Sequence, residues 1–523
     1  SPSRGLGDVY KRQIQYPVPV TRPGWTTSMA AAAQCAAPTP KRYQRRRPER
    51  TLWYRIVQTH LETWLELASG ENGEAPPAHV ERTFRRYLEC GILAHGFARA
   101  YCDECQHDFL IAYSCKCRGV CPSCNTRRMA ETAAHLVDHV FPPLPVRQWV
   151  LAVPKRLRYF LQADAALQGT VLRIFLSVVE RCLHEHSPSS PADARIGAVA
   201  FIHRFGSSLN EHVHFHCCVI DGVFESAPDT NNAPDEASSV RFHAALELDA
   251  AAFADVQARV RTRVLSTFVR RGLIDKDDAA EMRAWAHDGG FSVDGSVRIE
   301  GADRTGLERL LRYCARPPFA LEHLHQRDAE HLVYRNPKPV RGTAPRTRPA
   351  ALVLTPLELI TKIAALVPPP RVHRHRYYGV LAPNASLRAV VTALAPAAVP
   401  PAPTSAATRE EPHHRAVSRY LWAMLLARIY EAFPLQCPIC HASMRIIAFV
   451  NDLTAVGKVL DHIGESTQPP RIAPARGPPL WEAAAAAEQA GNDLQWDSSA
   501  QPAPEIEFDQ RIAWYVRVGA KTR

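Results

Sequence analysis

The chain contains no run of about 18 uninterrupted apolar residues, so no membrane-spanning helix is expected. The charged-then-apolar pattern of a secretory signal is missing from its N-terminus, which makes a reducing cytoplasm the expected compartment. No repeat period is evident, which argues against a solenoid or propeller. Residues 1–28 lack any helical or strand period. Their opening, SPSRGLGDVYKRQ, is similar to translated vector or adapter read-through, so Met29 is the expected true start.

What is present is more informative. At roughly 150 residues per domain, 523 residues suggest about three to four domains. Sixty-three Lys and Arg against 52 Asp and Glu leave a net charge of +11, which favours a polyanionic partner, nucleic acid before membrane. Of the 14 cysteines, seven lie between Cys90 and Cys124. Crowding of that kind in a long chain points to metal-binding thiolates rather than a disulfide framework.

Along the chain, KRYQRRRPER at 41–50 reads as a basic arm that is either simply solvated or contacts phosphate. Helical spacing predicts helices over 51–67, 80–93, 166–184, 247–272 and 305–314, the last stopped by Pro317 and Pro318. WVLAVP at 149–154 reads as a strand. RIGAVAFIHRFG and HVHFHCCVIDGVF read as a strand pair joined by SSLNE. The Pro- and Ala-rich stretch at 393–407 reads as a linker, helix returns at 415–432, and the tail from Ser466 shows little periodicity.

Cys102-x2-Cys105, fifteen intervening residues and Cys121-x2-Cys124 have the spacing of a four-thiolate structural zinc site. Cys90, Cys115 and Cys117 lie close enough in sequence to replace a ligand. Four thiolates leave no open position for catalysis. With Lys116, Arg118, Arg127 and Arg128 around it, the module reads as a DNA-binding or docking element. Cys437-x2-Cys440 is half a site, for which His441 and His462 are candidate partners.

His212, His214 and His216 stand at period two, so a strand turns all three to one face while Val213 and Phe215 face the other. Three imidazoles on one face of an apolar strand are costly whether charged or neutral, unless a metal or phosphate compensates. Metal ligation by at least two of them is expected. Arg371 to Tyr378, RVHRHRYY, alternates cations with aromatics. It reads either as phosphate contact plus base stacking on single-stranded DNA, through Arg371, Arg374, Arg376 and Tyr377, or as a basic surface strand with packed tyrosines.

A His-hydrophobe-His pair on an apolar strand resembles the HUH endonucleases. FIHRFGSSLNEHVHFHCCVIDGVF, RYCARPPFA, LTPLELITKIAALVPPPRVHRHRYYGVLAPN and SCKCRGVCPSCNTRRM together resemble the rolling-circle insertion-sequence transposases, whose catalytic region follows a zinc-binding domain. The resemblance covers roughly residues 50 to 465 and implies an α+β fold. Its expected parts are an HUH-type antiparallel sheet with helices on one face, an N-terminal helical and zinc-ribbon module, and a helical C-terminal region. The metal pair it implies is His214 and His216, with His212 as a third ligand or a DNA contact. The nucleophile it implies is Tyr313, with Tyr334, Tyr377 and Tyr378 as rivals. Four residues before Tyr313 stands Arg309 instead of a second tyrosine, as in the single-tyrosine subgroup associated with common-region elements.

The implied activity is nicking of single-stranded DNA at transposon ends through a 5′-phosphotyrosine, followed by strand transfer into target DNA. Mg²⁺ or Mn²⁺ would serve catalysis, Zn²⁺ the fold, and the location would be cytoplasmic and nucleoid-associated. The alternatives are a zinc-dependent DNA-binding protein with a degenerate nuclease and, more distantly, a metal hydrolase unrelated to DNA. The expected organisation runs from a non-native or disordered 1–28 through a basic arm (29–50), a helical zinc-binding domain (51–145) and a catalytic domain (146–330). A DNA-binding extension (331–392), a linker (393–412), a helical segment with the CxxC pair (413–465) and the tail (466–523) follow.

Overall fold

The computed structural model describes residues 46–70, 75–227, 239–285, 289–335, 351–395, 437, 439–440 and 442–476. An N-terminal module holds α1 (Leu52–Gly70), α2 (Ala78–Glu89), β1 (Phe97–Tyr101), β2 (Asp108–Ala112) and α3 (Pro122–His139). The chain continues with β3 (Val146–Ala152), α4 (Lys155–Ala163), α5 (Ala165–Glu185), β4 (Gly197–Phe205) and β5 (Glu211–Ile220). Then come β6 (Gly222–Ala227), β7 (Ser239–Ala244), α6 (Ala250–Arg270), α7 (Lys276–Ala284), β8 (Ser292–Ile299) and α8 (Arg304–Cys314). A small sheet of β9 (Leu324–Gln326), β10 (Leu332–Arg335) and β11 (Ala351–Leu354) precedes α9 (Pro356–Ala365), β12 (His375–Gly379) and α10 (Arg388–Ala393). Near the C-terminus lie β13 (Arg445–Val450) and α11 (Leu453–His462).

The central sheet has the order β12-β4-β5-β3-β8, and every pairing in it is antiparallel. Strand β5 lies at its centre, and alternation sends its residues to two different layers. Val213, Phe215, Cys217 and Val219 pack among apolar residues of α4, α5, α6 and α7. Cys218 and Ile220 pack with Val199 and Phe201 of β4 against α3 and α8. The fold is α+β with antiparallel sheets, as expected. Helices cover both faces of the central sheet rather than one, because both faces are apolar away from the histidines. A buried ion pair clamps the first layer. Arg147 of β3 donates to both Asp221 carboxylate oxygens at 2.8 and 2.9 Å, and Arg298 of β8 donates to the same group at 2.7 Å.

Two departures concern organisation. The sheet takes its edge strand β12 from beyond residue 330, so the unit built on this sheet runs past the boundary expected there. The described part of the C-terminal region contains a strand as well as a helix. Strand β13 pairs with β1, giving the sheet β13-β1-β2 inside the N-terminal module. The segment after α11 lies along α1. The Ala473 amide donates to the Gln58 carbonyl at 2.9 Å, and the Arg476 amide to Thr63 Oγ1 at 2.9 Å. The expectations for residues 1–28, most of the basic arm, the linker from 396, the helix at 415–432 and the tail from 477 lie outside the described residues.

Candidate active site and metal centres

The β4–β5 hairpin builds the histidine site. Its register sets His203 directly opposite His214 and Phe201 opposite His216. His203, His214 and His216 bring one ring nitrogen each within 4.8 Å of the others. All three are buried. Burial holds His214 down to about 3, and it lowers His203 well below its ordinary value, with the Arg316 guanidinium adding to the effect. Both rings are therefore neutral near pH 7, the form in which imidazole ligates a metal.

For His203 and His214, hydrogen bonds identify the ring nitrogen left free to ligate. His203 Nε2 lies 2.6 Å from the Cys314 carbonyl, which only accepts, so Nε2 carries the proton and buried Nδ1 keeps its lone pair. His214 Nδ1 lies 3.2 Å from the His212 carbonyl, which leaves Nε2 with the lone pair. Gln148 Nε2 donates to His216 Nδ1 at 2.9 Å. Gln148, buried on β3, also reaches Cys314 Sγ at 3.4 Å, so one amide touches both a histidine and the last residue of α8.

His212, the expected third ligand, is buried on the same strand but stands outside this group of three. It lies one step nearer the hairpin turn, whereas the neighbouring strand supplies His203 across from His214. The signal for His203 was present in FIHRFG, on the strand that SSLNE folds back against the histidine strand. Nothing local in the sequence marked Gln148.

Helix α8 delivers Tyr313. Asp303 caps its start by accepting from the Gly306 amide at 2.7 Å, and Pro317-Pro318 prevents its continuation. Leu307, Leu310, Leu311 and Cys314 bury one face against α3 and the sheet. Half-buried Tyr313 sits beside His216, ring centroids 5.6 Å apart and nearly perpendicular. The Arg316 guanidinium lies 4.5 Å above the Tyr313 ring. Of the rivals, Tyr334 is a core residue stacked on Phe319. Tyr378 packs on the α5 side of the sheet, and Tyr377 lies under the Arg388 guanidinium at 5.0 Å.

The expected zinc quartet is not one cluster. Cys121 and Cys124 join Cys90 and Cys115, whereas Cys102 and Cys105 join Cys437 and Cys440. The β1–β2 hairpin carries the Cys102 knuckle to β13 and away from the start of α3, where Cys121 and Cys124 lie. In the first cluster the sulfurs of Cys90 and Cys124 lie 3.7 Å apart, with 3.6 Å for Cys115–Cys124 and for Cys121–Cys90. A tetrahedral ion with Zn–S near 2.3 Å sets sulfurs about 3.8 Å apart, whereas a disulfide needs about 2.05 Å. The four thiols therefore fit structural zinc. Asn125 closes the intervening loop through Gly119, and Trp53 Nε1 donates to the Val120 carbonyl, pinning that loop to α1. Cys117 stands outside the four.

Basic residues from distant segments meet near the tyrosine. Arg118 donates to the carbonyls of Val372 and Pro369, and Arg128 to that of Lys116. Arg374 donates to the Arg316 carbonyl at 3.2 Å and is lowered to about 10 by burial, then by Arg118 and Arg128. Among the described residues none of Arg118, Arg128, Arg316 and Arg374 forms an ion pair with a carboxylate. Arg371 and Lys116 are exposed and Arg127 is half-buried. Arg376 lies apart from this group, 3.2 Å from the Cβ position of Gly169 on α5.

Two family models match. Residues 197–388 match Y2_Tnp, described as "Putative transposase", and residues 56–153 match Zn_Tnp_IS91, described as "Transposase zinc-binding domain". Searches of curated proteins and of solved structures return no match. The first range contains the three histidines and Tyr313, and the second contains the first cysteine cluster. Both support a transposase role, hence an enzyme acting on DNA, with structural zinc. No helix among the described residues is long and apolar enough to cross a membrane.

Proposed function

We propose that the chain is a rolling-circle-type DNA transposase that nicks single-stranded DNA at element ends with Tyr313 as its nucleophile. The observation that carries this reading is Tyr313 beside His216, on the face where three buried histidines converge. His203, His214 and His216 would hold a divalent cation, Mn²⁺ or Mg²⁺, which when bound would neutralise charge on the scissile phosphate. Three protein nitrogens leave room for phosphate and water oxygens.

The chain's own residues supply the rest. Helix α8 presents Tyr313, and Arg316 over its ring restricts its motion and adds positive charge beside the phenol. Attack forms a bond from Tyr313 Oη to phosphorus and breaks the bond from phosphorus to the 3′ oxygen. The phenol's proton is balanced by the one gained at the free 3′-OH. The 5′-phosphotyrosine conserves the ester's energy, so the strand can join a new end without a nucleotide cofactor. One tyrosine, with Arg309 one turn before it, supports one covalent link at a time.

Arg118, Arg128, Arg316 and Arg374 form a basic path from the zinc module to the tyrosine, suited to a single-stranded phosphate backbone. Helix α3 starts in the first cysteine cluster and packs on α8, so structural zinc would stiffen the support of the nucleophile. Incubating the purified chain with single-stranded terminal DNA and Mn²⁺, then denaturing, should yield a covalent protein–DNA adduct that vanishes in Tyr313→Phe. An adduct that persists in that variant moves the nucleophile elsewhere. Binding without any adduct would favour a DNA-binding protein with an inactive nuclease.

A further inference from the structure

We propose that Cys102, Cys105, Cys437 and Cys440 bind a second structural zinc, closing a ribbon whose two halves lie on either side of the catalytic region in sequence. The inference does not depend on the nuclease reading. It concerns a site half of which lies outside both matched ranges.

The four sulfurs lie within 4.8 Å of one another. Cys105–Cys437 is 3.3 Å, Cys102–Cys440 is 3.4 Å and Cys440–Cys105 is 3.6 Å. Two disulfides would produce two short contacts and longer ones between the pairs. Three comparable contacts, one of them running between those pairs, describe a tetrahedral cage instead.

The two Cys-x2-Cys knuckles are also built alike. The Cys102 amide donates to the His107 carbonyl and the Cys437 amide to the Ala442 carbonyl, each five residues ahead and each 2.8 Å long. Two residues past the second cysteine, the backbones of His107 and Ala442 hydrogen-bond to Cys105 and Cys440. Each knuckle adjoins a strand of one sheet. β1 leads into the first, β2 follows it, and β13 follows the second and pairs with β1. Ala100 and Met444 fill the small core beneath the sulfurs. Two equivalent knuckles at the end of one three-stranded sheet make a zinc ribbon, even though its halves stand 332 to 338 residues apart.

That separation gives the metal a task that a local finger lacks. It latches residues 437–476 onto the N-terminal module. Beyond the latch, α11 buries Val456 and Leu460 in the core that holds Leu93 and Phe97, and Arg47 pairs with Glu465 at 2.7 Å. Removing the ion should release β13 from β1 while leaving the wholly buried first cluster intact. Cys440 is exposed and Cys105 half-buried, so a chelator reaches the second cluster first.

The full chain, purified under reducing conditions, should contain two zinc ions by elemental analysis, released by a metallochromic chelator in a fast and a slow phase. Cys437→Ser/Cys440→Ser should retain one ion and lose the fast phase. Its β1 amides should exchange with deuterium faster, while those of β5 stay unchanged. A wild-type chain with a single ion, or a double variant that still holds two, overturns the proposal. Should the double variant fail to fold, thiol alkylation of the wild type decides. Cys102, Cys105, Cys437 and Cys440 should be protected until chelator is added. Early modification, or resistance to alkylation after chelation without reductant, overturns the proposal.

Discussion

The histidine site and the cysteine clusters reach metal-binding geometry by opposite routes. The histidines come from two adjacent strands joined by a tight connection, so backbone pairing alone sets His203 against His214 and leaves His216 two residues on. The cysteines come from loops and knuckles whose partners are chosen by packing across the module. A strand pair tolerates little variation in which residues meet, because slipping by one residue would turn the histidines into the apolar layer. Cysteine knuckles are interchangeable locally, and three of them in one chain can pair in several ways. The histidine site can therefore be tuned by its neighbours without losing the sheet. Each cysteine cluster is an all-or-none structural joint.

The comparison breaks most sharply at the ligands. His203→Ala should reduce adduct formation by about 100-fold or more, with zinc content unchanged, whereas His212→Ala should cost less than about 10-fold. Single-turnover assays in Mn²⁺ check both, and equal losses would restore His212 as the third ligand.

Asp221→Ala tests the sheet apart from its metals. It leaves the buried Arg147 guanidinium uncompensated and should destabilise the central sheet by about 3–5 kcal/mol. Denaturant unfolding followed beside zinc release measures this, and simultaneous loss of zinc would show that the two regions unfold together.

Gln148→Leu removes the amide shared by His216 and Cys314. It should weaken divalent-ion affinity by about 10-fold to 100-fold at the histidine site, with no effect on zinc. Calorimetric titration with Mn²⁺ reads this out, and unaltered affinity would make the residue a packing element only.

Arg374→Ala is the mildest change. It should weaken single-stranded DNA binding a few-fold and lower the salt slope of log Kd by about 1. A flat slope difference would remove Arg374 from the DNA path.

Much of this architecture was legible from residue order alone. The α5, α6 and α8 helices follow apolar spacing that neighbouring contacts reinforce. The β4–β5 pair follows alternation bounded by a polar connection. Tyr313 and the metal pair came through a resemblance whose motifs lie in order along the chain. What stayed hidden was pairing at a distance. Cys102-x2-Cys105 and Cys121-x2-Cys124 have correct spacing for one site, and spacing carries no information about a strand arriving from residue 445. Arg374 and Arg376 also looked equivalent in RVHRHRYY. Arg374 precedes the strand and meets Arg316, while Arg376 lies within it, beside α5.

The sequence by itself determined the chemistry available: thiolates in knuckles, imidazoles at period two, one tyrosine ahead of a proline stop, and a surplus of cations. Only the tertiary structure decided which of them meet. It set His203 across from His214, gave Tyr313 to His216, and divided the cysteines between two clusters. The physical reason is one of range. Period and capping act over a few residues, but a metal cage or a sheet edge is completed by whichever distant segment buries its apolar side there.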